Sequence, residues 1–274
     1  MIVTGAAVQG TSHLAAGQDC QDAFKAVDLG DAAVLALADG SGSRERSALG
    51  AHLAVDVACR VLAAEMPDGA ARPEEWTEWI AARGALVLAA YLRAARAVLG
   101  AVPAQGGEAA EGAHAADVGE LAAALVAAVV RPPWAAFLSL GDSFGTVLTR
   151  DDAEGPERCH LVLPPPVPGE PPPAFLSSPG AALRIRTFTV WEPGLSGVVL
   201  ASDGCASLTL DHPAMRQLPL HAGLLPSERF FCGLAATLRG NGGDAEPLRA
   251  LLSGPRAART GDDLTVACAL VEGG

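Results

Sequence analysis

The sequence predicts an α+β fold built in layers, on three observations. Short apolar runs stop abruptly at glycine, proline or aspartate, as strands do. Two long segments carry apolar residues at helical spacing. Strands and helices fall in segregated runs rather than in strict alternation, which argues against a βαβ design.

The elements are expected in this order. Ile2 to Val8 and Ala33 to Ala38 read as strands, the second ending in Asp39-Gly40-Ser41-Gly42-Ser43. Ser47 to Met66 is a helix on the spacing of Leu49, Leu53, Val57 and Val61, and Glu74 to Leu99 is a longer one rich in alanine and leucine. Both would cover one face of a sheet. Pro, Gly, Ala and Glu without periodicity mark 101–117 as a mobile surface loop. Leu121 to Val130, Trp134 to Leu140 and Phe144 to Thr149 read as strands of an antiparallel meander, parted by Arg131-Pro132-Pro133 and Gly141-Asp142-Ser143. Seven prolines make 164–173 a stiff, extended surface segment. Strands at Leu183 to Val190 and Gly197 to Ala201, a helix within Ser227 to Leu252 and a strand from Leu264 to Val271 complete the map.

Half of the 274 residues are hydrophobic, enough for a sizeable core, and the chain reads as a single domain over 1–274. The start lacks a basic segment followed by an apolar run, and no stretch reaches the roughly 20 apolar residues of a membrane span, so a cytoplasmic protein without a membrane partner is expected. Six cysteines, Cys20, Cys59, Cys159, Cys205, Cys232 and Cys268, lie far apart with no CxxC pair and read as reduced thiols. Asp and Glu total 31 against 19 Lys and Arg, a net charge of -12, so the basic footprint of a nucleic-acid binder is missing.

The acidic residues are placed, not scattered. At Ala38-Asp39-Gly40, Leu140-Gly141-Asp142 and Ser202-Asp203-Gly204 an apolar strand runs out and an aspartate stands beside a glycine; Gly261-Asp262-Asp263 stands just before another strand. Between antiparallel neighbours, the exit of one strand and the entry of the next share an edge, so all four acidic sites can converge on one rim. Crowded carboxylates held away from bulk water need compensating cations. Oxygen donors without His or Cys favour Mg²⁺ or Mn²⁺ over Zn²⁺.

At this point the sequence resembles a known family, the metal-dependent protein phosphatases of the PPM group, or type 2C serine/threonine phosphatases. The resemblance rests on Gly17-Gln18-Asp19-Cys20-Gln21-Asp22-Ala23, Ala38-Asp39-Gly40, Gly141-Asp142-Ser143, Ala201-Ser202-Asp203-Gly204 and Asp262-Asp263-Leu264-Thr265. Their order and spacing are specific together, not singly. The resemblance implies a four-layer α/β/β/α sandwich, two antiparallel β-sheets flanked by helices, with a site for two metal ions, or three, at one end. It implies that Asp39 bridges two ions with the Gly40 carbonyl assisting, that Asp203 and Asp262 complete one coordination sphere, that Asp142 holds a weaker third ion and that Asp22 holds metal-bound waters. The implied substrate is a phosphorylated protein, acted on opposite a serine/threonine kinase.

Two departures fall in the first motif. Gln21 stands where the family pattern has a glutamate, and the phosphate-binding arginine falls near Gly17, which has no side chain. His13 is the nearest replacement, as a phosphate or leaving-group contact or as a hydrogen-bonded structural histidine. The run from Ser12-His13 to Gln21-Asp22 looks like a bacterial branch of the family carrying this variant. Phosphomonoester hydrolysis needs a nucleophile and neutralised phosphoryl charge, and two bridged metals with an activated water supply both. One rival is a phosphatase-like module that binds phosphoproteins without turnover. Another is a serine hydrolase, because Gly141-Asp142-Ser143-Phe144-Gly145 matches a GxSxG elbow with Asp203 and His212 or His221 downstream. The strand expected after Ser143, where an elbow needs a helix, argues against the latter.

Overall fold

Central strands here are apolar on both faces, and that single property sets the architecture. The computed structural model of the chain describes residues 1–101, 117–152, 155–166 and 173–272. In order these form β1 (Ile2–Val8), α1 (Thr11–Ala16), β2 (Asp22–Asp28), β3 (Ala33–Gly40), α2 (Ser47–Leu62), α3 (Pro73–Ala101), β4 (Ala123–Arg131), β5 (Trp134–Leu140), β6 (Phe144–Thr149), β7 (Arg158–Leu163), β8 (Arg186–Trp191) and β9 (Leu195–Ala201). They continue as α4 (Ala206–Thr209), the paired β10 (Leu210–Asp211) and β11 (Leu225–Pro226), α5 (Glu228–Gly240), α6 (Glu246–Leu252) and β12 (Leu264–Leu270). Two antiparallel five-stranded sheets result, in the orders β1-β12-β9-β6-β7 and β2-β3-β4-β5-β8.

Alternate residues of each strand go to different layers. Leu35, Leu37, Val126, Phe137, Val198 and Leu200 pack between the sheets. Their neighbours Val34, Ala36, Leu125 and Leu138 face α2 and α3, with Trp76, Ile80 and Tyr91. On the opposite outer face Val199, Val266 and Cys268 pack with Phe231, Leu234 and Leu238 of α5 and Leu248 and Leu252 of α6. The outcome is helix, sheet, sheet, helix. Each fully buried Leu or Phe contributes about 1.5–3 kcal/mol relative to exposure, so the sandwich is held by hydrophobic burial on three interfaces.

The two expected long helices and most expected strands are present within a few residues. One expectation is overturned. β4 and β5 pair, but β6 pairs with β9 and β7 in the other sheet, so the three strands are not a meander. The cause lies in Gly141, with φ +121° and no room for a Cβ, which would meet Ala124 Cβ at 2.4 Å. That backbone carries the chain across the sandwich rather than back along the same sheet. The region expected to hold one helix, Ser227 to Leu252, holds two, parted where Gly242 and Gly243 take positive φ. The short helix α1 and strands β2 and β7 were not expected. Of the segment 101–117, residues 102–116 lie outside the described residues; of 164–173, residues 167–172 do.

Candidate metal and phosphate site

The acidic site is built at one end of the sandwich by both sheets. β3 delivers Asp39 and, through the register Asp22↔Asp39, β2 sets Asp22 directly beside it. Gly40 is required by close approach: an added Cβ would lie 2.8 Å from the Ser47 backbone and 2.9 Å from the Gln21 carbonyl oxygen. Its N–H donates to that oxygen at 3.0 Å, tying the first motif to the end of β3. The crossover between sheets carries Asp142. From the other sheet β9 ends at Ala201, opposite Val266 of β12, so Asp203 just after β9 and Asp262 just before β12 arrive together. Of the four acidic sites expected on one rim, Asp39, Asp142 and Asp203 meet, with Asp262 beside Asp203 on the same cavity, at the end of a sandwich rather than on one sheet edge.

Carboxylate oxygens of Asp39, Asp142 and Asp203 lie within 4.8 Å of one another. Such crowding raises proton affinity. Burial pushes the Asp39 carboxyl far above the usual range, and Asp22, Asp203, Asp142 and Asp262 add to the shift. Burial also raises Asp22, although the Thr265 and Ser202 hydroxyls beside it pull it part way back. Asp142 is pushed up to about 6 by burial and then by Asp203. Asp262 is raised by burial and by Asp203. Among the described residues the buried Asp22 Oδ2 and Gln21 Oε1 have no hydrogen-bond partner. Donors of oxygen alone, raised proton affinities and orphaned oxygens together fit a site for hard divalent cations.

Asp263, adjacent in sequence to Asp262, is a different object. Its carboxylate accepts the Gly10 and Gln21 N–H groups, each at 2.6 Å, and lies 3.0 Å from His13 Nδ1. Burial pushes it up, but these donors outweigh burial and hold it below the usual carboxylate range. Local spacing offered no sign of this, since the donors lie more than 240 residues away. One ring nitrogen of His13 therefore faces a carboxylate. His212, just before one 3-10 turn, and His221, within another, are exposed, and Ser143 is followed by the strand β6, so the serine-hydrolase geometry is not formed.

A cavity of about 440 Å³ opens beside the acidic site, lined by Asp203, Gly204, Ser207, Arg259, Thr260 and Asp262 among others. Sequence reasoning passed over Arg259; its one available signal was a place three residues before Asp262.

Residues 9–253 match the family model described as Protein phosphatase 2C. A search of curated proteins finds no match. Among solved structures, the serine/threonine phosphatase Stp1 from Staphylococcus aureus is similar at 14% identity and TM-score 0.55, over 100% of this chain and 96% of that one. The serine-threonine phosphatase 2C from Toxoplasma gondii is similar at 14% identity and TM-score 0.56, over 98% and 95%. The catalytic domain of the serine threonine protein phosphatase PstP follows at 17% identity and TM-score 0.53, over 98% of each chain. With its layered sandwich and a family match over nearly its whole length, the chain belongs to the protein phosphatase 2C family, the metal-dependent serine/threonine phosphatases that hydrolyse phosphoric monoesters.

Proposed function

We propose that Asp39, Asp203 and Asp262 hold two manganese or magnesium ions, with the Gly40 carbonyl assisting Asp39, Asp142 serving a weaker third ion, and Asp22 holding the waters around them. The observation that carries this reading is the meeting of Asp39, Asp142 and Asp203 oxygens within 4.8 Å. Three carboxylates at that separation repel strongly unless protonated or neutralised by cations. PstP is described in complex with 2 manganese ions, which supports the choice of ion. Bound ions of this kind supply an acidified water as nucleophile and neutralise phosphoryl oxygens.

The chain's own residues have separable tasks. Asp39, near the end of β3, shares one cluster with Asp142 and with Asp203, which follows a strand of the other sheet. Asp22, beside it across the β2–β3 ladder, keeps Oδ2 free to accept from ordered water. His13 acts as proton donor to the departing serine or threonine oxygen: with Nδ1 turned toward Asp263, Nε2 remains for the transfer. The substrate is a phosphorylated protein, and the enzyme acts opposite a serine/threonine kinase in the cytoplasm, as one domain over 1–274. Among the described residues no helix is long and apolar enough to cross a membrane.

Purified protein should hydrolyse a phosphoserine peptide and para-nitrophenyl phosphate with manganese and lose both activities in chelator. Hydrolysis that persists in chelator would overturn the reading. Manganese binding without turnover would leave a module that only binds phosphoproteins.

A further inference from the structure

A phosphate dianion that approaches this site meets an acidic cavity wall, Asp203 and Asp262, and needs fixed positive charge as well as metal. Gly17 cannot supply it. His13 Nδ1 already faces a carboxylate, Asp263, 3.0 Å away. Arg186 donates to Ser139 Oγ at 3.2 Å and lines, with Leu140 and Gly141, a separate cavity of about 200 Å³ that none of Asp39, Asp203 and Asp262 lines.

Arg259 is differently placed. It shares the larger cavity with Asp203 and Asp262, and that volume, about 440 Å³, falls in the range of small-ligand sites. Among the described residues its guanidinium makes no ion pair or hydrogen bond, although two carboxylates line the same space. Its backbone, by contrast, is firmly held. Ala257 is buried, Thr260 Oγ1 donates to the Ala257 carbonyl at 3.0 Å, and Thr11 Oγ1 donates to the Ala258 carbonyl at 3.1 Å. The Ser12 N–H closes the same junction on the Gly261 carbonyl at 2.9 Å. A rigid turn therefore presents an uncommitted guanidinium over the cavity beside the acidic cluster, and a guanidinium's planar fork matches two phosphate oxygens at once.

We infer that Arg259 binds the phosphate of the substrate, in the role that Gly17 leaves unfilled; the inference rests on the phosphatase reading above. Because the contact is to phosphate and not to the peptide, it serves phosphoserine, phosphothreonine and free phosphate alike.

The test is calorimetric titration of inorganic phosphate into manganese-loaded wild type, Arg259→Ala, Arg259→Lys and Arg256→Ala, with KM and kcat for a phosphoserine peptide alongside. Arg259→Ala should weaken phosphate binding about ten- to hundred-fold, the loss expected for a charge-assisted contact, and raise KM in step. Arg259→Lys should recover part of the affinity, because it restores charge without the fork. Manganese affinity and melting temperature should stay at wild-type values, since Arg259 is exposed and touches no carboxylate, and the equally exposed Arg256→Ala should match wild type throughout. Phosphate affinity in Arg259→Ala within about twofold of a wild type that binds phosphate overturns this inference alone. A wild type that binds no phosphate with manganese present overturns the phosphatase reading, and this inference with it.

Discussion

Asp39 and Asp263 stand at the same end of the sandwich and solve opposite problems. Asp263 receives two backbone N–H groups and faces a histidine, so the protein itself satisfies its charge and its proton affinity falls. Asp39 is surrounded by Asp22, Asp142, Asp203 and Asp262, and its proton affinity rises. Both are acids at strand ends of the same fold, so burial or position alone does not mark a functional carboxylate. The mark is what surrounds it. A carboxylate left among like charges is unfinished without an external cation, whereas one surrounded by donors is complete and holds the structure together.

The strongest way to break this contrast is to remove Asp39. Asp39→Ala should lower manganese-stimulated hydrolysis by about 10²–10³-fold or more, the loss typical when a group that organises charge at the reacting phosphate is deleted. In chelator the same variant should be more stable than wild type. A carboxyl whose folded proton affinity is raised binds more protons folded than unfolded, so metal-free stability falls as pH rises out of the ordinary carboxylate range. The gain in the variant should therefore be present near neutral pH and vanish on acidification. Each kcal/mol gained is worth about 2–4 °C in a domain of this size, which differential scanning calorimetry resolves. A destabilised metal-free Asp39→Ala would mean that the cluster is not strained by like charge.

Asp263 should behave in the reverse sense. Asp263→Ala leaves the buried Gly10 and Gln21 N–H groups without acceptors, at about 1–3 kcal/mol each, and should lower the melting temperature with or without metal. Its pH signature is opposite too. The lowered proton affinity gives stability that is fully present above the ordinary carboxylate range and is lost as pH falls through the lower folded value. Asp263→Asn, which keeps one acceptor oxygen, should fall between. If Asp263→Ala were as stable as wild type, the clamp between the first motif and the last strand would not be structural.

The same contrast separates what was legible from what was not. Asp39, Asp142, Asp203 and Asp262 were found because each sits beside a glycine at the end or start of an apolar run, and strand ends are local features. The long helices were legible because α2 and α3 repeat their apolar positions over several turns. β2 was not, since Asp22 to Asp28 mixes Lys25 and two aspartates with apolar residues and reads as a loop until β3 pairs with it. The sheet switch at Gly141 depends on a positive φ that no spacing rule announces. Asp263 and Arg259 escaped for one further reason: their roles come from partners brought together by β12 and α1, elements at opposite ends of the chain.

Gln21 offers a subtler way to sharpen the comparison, because it joins both environments. Its N–H donates to Asp263, while its side-chain Oε1 is buried close to Gly42 and has no hydrogen-bond partner among the described residues. Gln21→Glu adds negative charge to the unfinished side of the site. The manganese concentration for half-maximal activity should fall by about tenfold, equivalent to ~1.4 kcal/mol, while the metal-free protein loses stability. Calorimetric titration of manganese measures the first effect and thermal unfolding in chelator the second. Equal metal affinities in the two proteins would place Gln21 outside the metal site.

The smallest expected effect belongs to Ser143, and its smallness is informative. Ser143 lies between Asp142 and the start of β6, and its buried hydroxyl has no hydrogen-bond partner among the described residues. As a nucleophile it would need a base within reach, but His212 and His221 are exposed on turns after β9 and His13 Nδ1 faces Asp263. Removing an unsatisfied buried hydroxyl deletes a desolvated group without breaking a bond, so stability should hold or rise slightly. Ser143→Ala should keep kcat/KM for a phosphoserine peptide within about twofold of wild type, because the hydroxyl contributes no interaction that tightens in the transition state. Serine- and thiol-directed covalent inhibitors should likewise leave activity intact, with burial pushing the thiols of Cys20, Cys59, Cys159, Cys205 and Cys268 up to about 12 and away from the reactive thiolate. A Ser143→Ala protein that lost a chelator-resistant esterase activity would reverse the assignment, making the serine the reacting group and the surrounding aspartates its support.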